Sequence, residues 1–230
     1  MPINCLAGKL GLAAILLAPS LSQAGRPLVT DDASVVRAGT CEIEAWTNHR
    51  SGGDEYWTVP HCAAGAWELA GGVSRSRPPA SGTGPESALL AAKTLFRPLR
   101  RNSWGIGITL SNQFGGWRGV LGDLAAVVPF SMSLFDDRVL VHVNAGWQRP
   151  RGAHSGATWA LAAEWNATRR IGLTLEAYGS QHGRSYLQAG ARYDLLPNRL
   201  TLDAALGQRI SLRGLEHYVA VGLTLTVRQP

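Results

Sequence analysis

Apolar and polar side chains alternate in steps of two along much of the chain. Between 169 and 178 the apolar Ile171, Leu173 and Leu175 are separated by polar or small residues, and the alternation resumes from Leu187 after a turn. Successive side chains of a β-strand point to opposite faces, so a period of two predicts strands with one apolar and one polar face.

Segments of this kind recur at even spacing, and no segment shows a helical period. We predict strands at about 40–48, 55–63, 66–74, 86–96, 103–112, 118–128, 138–147, 157–166, 169–178, 185–193, 199–207 and 216–227. Strands of about 9–11 residues can cross a membrane at a tilt. The connections are short at one end and mostly longer at the other, as in bacterial outer-membrane barrels. The predicted fold class is all-β: a transmembrane antiparallel up-and-down β-barrel of about 12 strands.

The tryptophans fall near the ends of the predicted strands, which favours a membrane barrel over a soluble sandwich. Aromatic rings prefer the boundary between lipid headgroups and hydrocarbon, and they form girdles at both edges of a barrel. We predict a periplasmic girdle of Trp67, Trp104 and Trp165, and an outer girdle of Trp46, Trp57, Trp117, Trp147 and Trp159.

The side of each strand that faces lipid is predicted by keeping charges away from it, because a lipid-facing Arg or Lys at mid-bilayer costs about 2–4 kcal/mol. The opposite face then collects these predicted lumen-lining residues: Glu42, Glu44, Glu68, Lys93, Asp123, His142, Glu164, Arg170, Glu176, Arg192 and Asp203. So many titratable groups do not suit a dry sandwich core. They suit a polar lumen, either as a structural network or as a permeation path.

The N-terminal region predicts export. Residues 1–24 have the features of a cleaved signal peptide: the basic Lys9, a short apolar run at 10–19 and small residues before the cleavage point. Residues 25–38 show no period, and we predict a short periplasmic arm that folds into or against the barrel mouth. Residues 39–230 form the predicted outer-membrane barrel.

Two cysteines remain after the predicted cleavage, Cys41 and Cys62. An even number of cysteines in an exported chain suggests a disulfide. If Trp46 lies opposite Trp57 in the first hairpin, the same antiparallel register places the cysteines opposite each other. Directly opposed Cβ atoms lie about 4.5–5.5 Å apart, so we predict a bridge.

The charge balance points to phosphorylated lipid at the cell surface. The formal net charge is +6, and Lys93 is the only lysine beyond the signal peptide. Arginine forks match phosphate groups, whereas nucleic acid is a poor partner for an exported protein. We predict lipopolysaccharide at the outer rim, bound by Arg50, Arg75, Arg77, Arg118, Arg149, Arg151, Arg184, Arg209 and Arg213.

No motif predicts catalysis, a metal or a cofactor. His154 and Ser155 are adjacent, but no acidic residue is placed by spacing to complete a hydrolase set. The histidines at predicted outer ends match no metal-ligand spacing. We therefore predict a non-enzyme, and an outer-membrane lipid hydrolase ranks third among the functions considered.

The arm and the first hairpin carry a family resemblance over about 26–62. The arm contributes the motif Arg26, Pro27, Leu28, Val29, Thr30, Asp31, Asp32 and Ala33; the hairpin contributes Cys41 to Trp46, Glu55 to Trp57 and Cys62. This stretch resembles outer-membrane proteins grouped as meta-pathway phenol-degradation, or transporter-like, proteins. The resemblance implies a barrel in the outer membrane of a Gram-negative bacterium and transport of small hydrophobic or aromatic compounds.

The leading functional hypothesis is a monomeric, porin-like barrel for passive passage or uptake of small solutes. The alternative is a closed structural or surface-interaction barrel that transports nothing.

Overall fold

Twelve strands close into one barrel in the computed structural model, which describes residues 26–77, 86–115, 121–210 and 216–228. The strands are β1 (Thr40–Arg50), β2 (Gly53–Ala64), β3 (Trp67–Arg77), β4 (Glu86–Arg97), β5 (Trp104–Gly115), β6 (Asp123–Leu134), β7 (Val139–Arg149), β8 (Gly156–Asn166), β9 (Ile171–Ser180), β10 (Ser185–Leu196), β11 (Leu200–Ile210) and β12 (His217–Arg228). Each pairs antiparallel with its neighbours in the chain, and β1 pairs with β12. The predicted fold class is confirmed.

The predicted signal peptide at 1–24 lies outside the described residues. Within them, no helix is long and apolar enough to cross a membrane.

The barrel is apolar outside and polar inside. On β11, Leu206 is 66% exposed while its neighbour Ala205 is 2% exposed, because consecutive side chains alternate between the outer surface and the lumen. His142 and Glu164 point inward and are buried. A lipid-facing outer surface explains why large apolar side chains such as Leu175 are exposed.

The girdle prediction holds for the tryptophans that point outward. The exposed tryptophans near strand ends are Trp67, Trp104, Trp147, Trp159 and Trp165. The prediction was wrong for Trp46 and Trp57, whose rings stack inside the barrel with centroids 5.7 Å apart. They share the inward face of their strands with Glu44 and Val59. Trp117 lies outside the described residues.

The predicted disulfide is confirmed between Cys41 and Cys62. The hairpin register pairs Trp46 with Trp57 and Cys41 with Cys62, as predicted. The two cysteines lie on the face opposite to that of the tryptophans, so the bridge is on the outer surface of the barrel. It joins β1 and β2 near the end of the barrel where the arm meets β1.

We expect the double variant Cys41→Ser, Cys62→Ser to keep its fold and to lose stability. The bridge spans 21 residues, and closing a loop of that size contributes about 3 kcal/mol in the chain-entropy account. Urea unfolding in detergent, followed by tryptophan fluorescence, measures the loss. Equal unfolding free energies for the variant and the oxidised protein would contradict this expectation.

Candidate functional site

The arm lies inside the barrel. Its residues contact inward-facing side chains on β1, β3, β4, β5, β6, β7, β9, β10 and β11. These strands surround the lumen, so a single short segment can touch all of them only from within. The arm was predicted to fold into or against the periplasmic mouth, and in the structure it extends into the lumen, where Pro27 reaches Gln188.

Lumen side chains satisfy the main chain of the arm in its deeper half. Glu176 accepts hydrogen bonds from the amides of Val29, at 2.9 Å, and Thr30, at 2.9 Å. Asn144 accepts from the amide of Asp31 at 2.7 Å and donates back to its carbonyl at 2.8 Å. Within the described part of the chain the arm has no strand partner, so these side chains meet the requirement that buried amides be paired.

The same kind of pairing continues toward the mouth. Ser131 accepts from the amide of Ala33 at 2.8 Å, and Glu68 accepts from that of Val36 at 2.7 Å. The amide of Leu99, in the turn between β4 and β5, donates to the Ala33 carbonyl at 3.1 Å. That turn therefore folds against the arm, and together they cover this end of the lumen.

Three ion pairs fix the side chains of the arm. The Lys93 ammonium lies 2.7 Å from a carboxylate oxygen of Asp31 and 2.7 Å from one of Asp32. Arg26 lies 3.1 Å from Asp203, and its guanidinium stacks 4.6 Å from the centre of the Trp46 ring. Most of these groups are buried, so each depends on its partner to offset lost hydration.

A buried chain of polar residues continues from the arm into the wall. The Ser131 hydroxyl accepts from the Ala33 amide and is hydrogen-bonded to Nδ1 of His142, at 2.7 Å. His142 Nε2 then donates to Glu164, at 2.9 Å, and Glu164 pairs with Arg192 at 2.5 Å. A serine, a histidine and a carboxylate also make up hydrolase sites. Here Ser131, His142 and Glu164 are at most 1% exposed, and the serine is hydrogen-bonded to the arm. This series of hydrogen-bonded residues therefore connects the arm to the barrel wall.

We expect Glu164→Leu to destabilise the barrel by about 3–5 kcal/mol, because it leaves the Arg192 guanidinium and His142 without their carboxylate in a buried position. Unfolding in urea measures the change. The matched control is Arg184→Ala, which removes an exposed ion pair with Glu216 and should leave stability unchanged. A similar result for both variants would contradict a stabilising role for the buried chain.

Three inward tyrosines form a layer beyond the tip of the arm. Tyr178 and Tyr186 stack with centroids 5.5 Å apart, and the hydroxyls of Tyr178 and Tyr218 lie 2.7 Å apart. Tyr218 also donates to Gln188, which holds the Pro27 carbonyl. The Tyr218 ring lies flat on the wall at Gly207, where a Cβ would lie 2.1 Å from a ring carbon. The layer narrows the lumen on the β9 to β12 side.

Most of the predicted lumen-lining residues lie on the inner wall: Glu42, Glu44, Glu68, Lys93, His142, Glu164, Glu176, Arg192 and Asp203. Asp123 has the same inward phase on β6 as Ser131, but it is the first residue of the strand and lies exposed at the rim, where it accepts from the Arg151 amide at 2.6 Å. Arg170 is exposed in the turn before β9, which begins at Ile171. The strand boundary was predicted two residues early, and this misplaced Arg170.

Sequence reasoning missed two inward residues that matter here. His61 lies between carboxylates, 3.2 Å from Glu68 and 3.9 Å from Glu42, and Ser131 joins the arm to His142. Both follow the inward phase of their strands. A search for polar residues in that phase, beyond the charged ones, would have found them.

A closed twelve-stranded antiparallel barrel with a polar lumen is the fold of outer-membrane channels. The KdgM porin is similar over 80% of this chain and 98% of its own, with 10% identity and a TM-score of 0.64. The COG4313 outer membrane channel from Pseudomonas putida F1 is similar over 85% of this chain and 98% of its own, with 11% identity and a TM-score of 0.62. The NanC porin is similar over 80% of this chain and 98% of its own, with 9% identity and a TM-score of 0.59.

The chain belongs to the family described as "Uncharacterised conserved protein UCP029691", whose profile matches residues 12–227. A comparison with curated proteins gives no match.

Proposed function

We propose that this protein is an outer-membrane channel for passive passage of small solutes, closed by its own arm. The observation that carries the proposal is the space that the wall leaves for the arm. A Cβ on Gly190 would lie 2.8 Å from the Pro27 ring, and one on Gly222 would lie 2.9 Å from the Arg26 guanidinium. The wall has glycines, which lack side chains, where the arm passes. Removing the arm would therefore leave an open passage through the lumen.

The chemistry of the contacts allows the arm to leave. It is held by hydrogen bonds and ion pairs to a polar wall, and water can replace such partners once the lumen hydrates. A single hydrogen bond contributes a net of about 0.5–1.5 kcal/mol. A closed but openable channel is consistent with this balance.

Bilayer recordings with and without the arm test the proposal. Current that rises when the arm is removed supports a channel. Absence of current in both forms favours the closed structural barrel, an alternative supported by the burial of Lys93 and Glu164 in the contacts that fill the lumen.

The resemblance of 26–62 to transporter-like meta-pathway proteins makes small hydrophobic or aromatic compounds the first solutes to test. The KdgM porin has been studied in complex with disordered oligogalacturonate, so extended polar solutes form the comparison set. Liposome swelling with graded members of both sets would rank them.

We also propose that the protein resides as a monomer in the bacterial outer membrane and holds lipopolysaccharide at its outer rim. A cavity of about 360 Å³ lies at the outer ends of β2 to β4, and its lining includes the outward side chains of Tyr56, Val73 and Arg75. An aromatic ring, an apolar side chain and a guanidinium together suit a phosphorylated lipid.

We expect Arg75→Ser, Arg77→Ser to reduce co-purified lipopolysaccharide several-fold. The control is Arg169→Ser, Arg199→Ser, which removes two exposed arginines at the other end of the barrel. Equal lipopolysaccharide content in the two variants would contradict the site. Of the other rim arginines, Arg50 turns inward over Tyr218 and Arg184 pairs with Glu216, so these two are less suited. Arg118 and Arg213 lie outside the described residues.

A further inference from the structure

The contacts of the arm are directed largely at its main chain. The amides of Val29, Thr30, Asp31, Ala33 and Val36 donate to lumen side chains, and the carbonyls of Pro27 and Asp31 accept from them. Main-chain groups are common to every peptide, so a wall that pairs with them is arranged to hold a polypeptide segment.

We propose that the lumen is a peptide-binding site. The arm is its resident ligand, and an unattached peptide of the same chemistry can take its place. The inference rests on the proposed function only in that the arm must be able to leave.

Side-chain contacts define the class of peptide. The first described residue, Arg26, is basic and meets the Asp203 carboxylate and the Trp46 ring. Five residues later an acidic pair meets Lys93. The ligand class is therefore a peptide with a basic residue followed, after four intervening residues, by two adjacent acidic residues.

A small residue is required after the acidic pair. Ala33 is 0% exposed, and its Cβ lies 3.0 Å from the position that a Cβ on Gly105 would occupy. The amide of Leu99 closes over its carbonyl. A larger side chain at this position would collide with the wall and with the turn between β4 and β5.

The contacts do not depend on the covalent connection to the barrel. Residues 37–39 are exposed, and they link the buried part of the arm to β1. Because the binding contacts lie before this link, a free peptide comprising residues 26–38 can make all of them.

A binding assay tests the proposal. A barrel lacking residues 25–38 is titrated into a fluorescently labelled synthetic peptide of residues 26–38, and anisotropy reports binding. We expect saturable binding and at least ten-fold weaker binding for the peptide with Asp31→Asn and Asp32→Asn, because charge-assisted hydrogen bonds to Lys93 are lost. The Lys93→Met barrel should bind the unmodified peptide with a similar loss, and combining both changes should add little.

A scrambled peptide of the same composition is the control. Equal affinity for the scrambled and native peptides would overturn the proposal, since it would show attraction by charge alone. Absence of binding to an arm-deleted barrel that conducts would also overturn it, while the proposed channel function would stand. Saturable, sequence-dependent binding to a barrel that stays silent would support the site and count against the channel.

A second form covers the case in which the arm-deleted barrel does not fold. A protease site inserted between Ala38 and Gly39 allows the chain to fold intact and then be cut. Labelled peptide in excess should exchange into the cut barrel and release the resident arm. Failure to exchange when both are incubated in urea below the unfolding range of the barrel would overturn the proposal.

Discussion

Barrels without residues 25–38 are expected to pass ions readily in planar bilayers, whereas the intact protein should be silent or open only briefly. The arm runs inside the lumen from the end at β1 to the level of Asp203 and Gln188. Gly190 and Gly222 of the wall beside the arm have no side chains. The wall alone therefore cannot close the passage at this level. The diameter of a twelve-stranded barrel lies between those of the small filled barrels and the wide porins. The pore without the arm should therefore be wide enough to conduct hydrated ions.

The control replaces residues 26–37 by a flexible Gly/Ser segment of equal length. It keeps the connection to β1 and loses every specific contact, so it should conduct like the deletion. The freed lumen should prefer cations weakly, because the acids Glu42, Glu44, Glu68, Glu164, Glu176 and Asp203 outnumber the basic Lys93, Arg192 and Arg50. A silent deletion variant with normal folding would contradict the gating role, and anion selectivity would contradict the charge argument.

Lys93→Met is expected to weaken arm docking strongly and to open the channel without removing any of the arm. Lys93 is 7% exposed and pairs with both Asp31 and Asp32. Removing one side of a buried pair costs about 3–5 kcal/mol because the remaining charge is left without a partner. We expect a higher open probability in bilayer recordings and a lower free energy of unfolding in urea.

Two further variants separate the ion pair from a general loss of stability. Arg101→Ala removes a pair with Asp137 in which the arginine is 54% exposed, and it should change neither readout. Adding Asp31→Asn and Asp32→Asn to Lys93→Met should recover part of the stability, because no unpaired charge remains. A triple variant less stable than Lys93→Met would contradict the pairing.

The barrel could be predicted from sequence because the alternation of side chains along a strand is a local pattern. A period of two assigns each strand and its faces, and one assumed pair, Trp46 with Trp57, fixed the register that places Cys41 beside Cys62. The errors came from positions near strand ends. Trp46 and Trp57 lie at the level where a girdle is expected. Their position in the alternation of the strand points them inward, so they cannot belong to a girdle on the outer surface.

The position of the arm could not be predicted in the same way. It has no period, and its partners are distant in sequence: Asp31 and Asn144 are separated by 113 residues. The inward polar residues were interpreted as a structural network or a permeation path, and neither interpretation identifies the arm as their partner. Both Glu176 and Lys93 have partners on the arm, Thr30 for Glu176 and Asp31 for Lys93.

The claim that the arm closes the lumen is tested most directly on one barrel before and after the arm is lost. A protease site between Ala38 and Gly39 is cut in a planar bilayer, and urea below the unfolding range of the barrel is then perfused to release the arm. The account predicts little current before urea and a lasting stepwise increase afterwards. Unchanged current from a barrel whose arm is shown by mass spectrometry to be gone would contradict it.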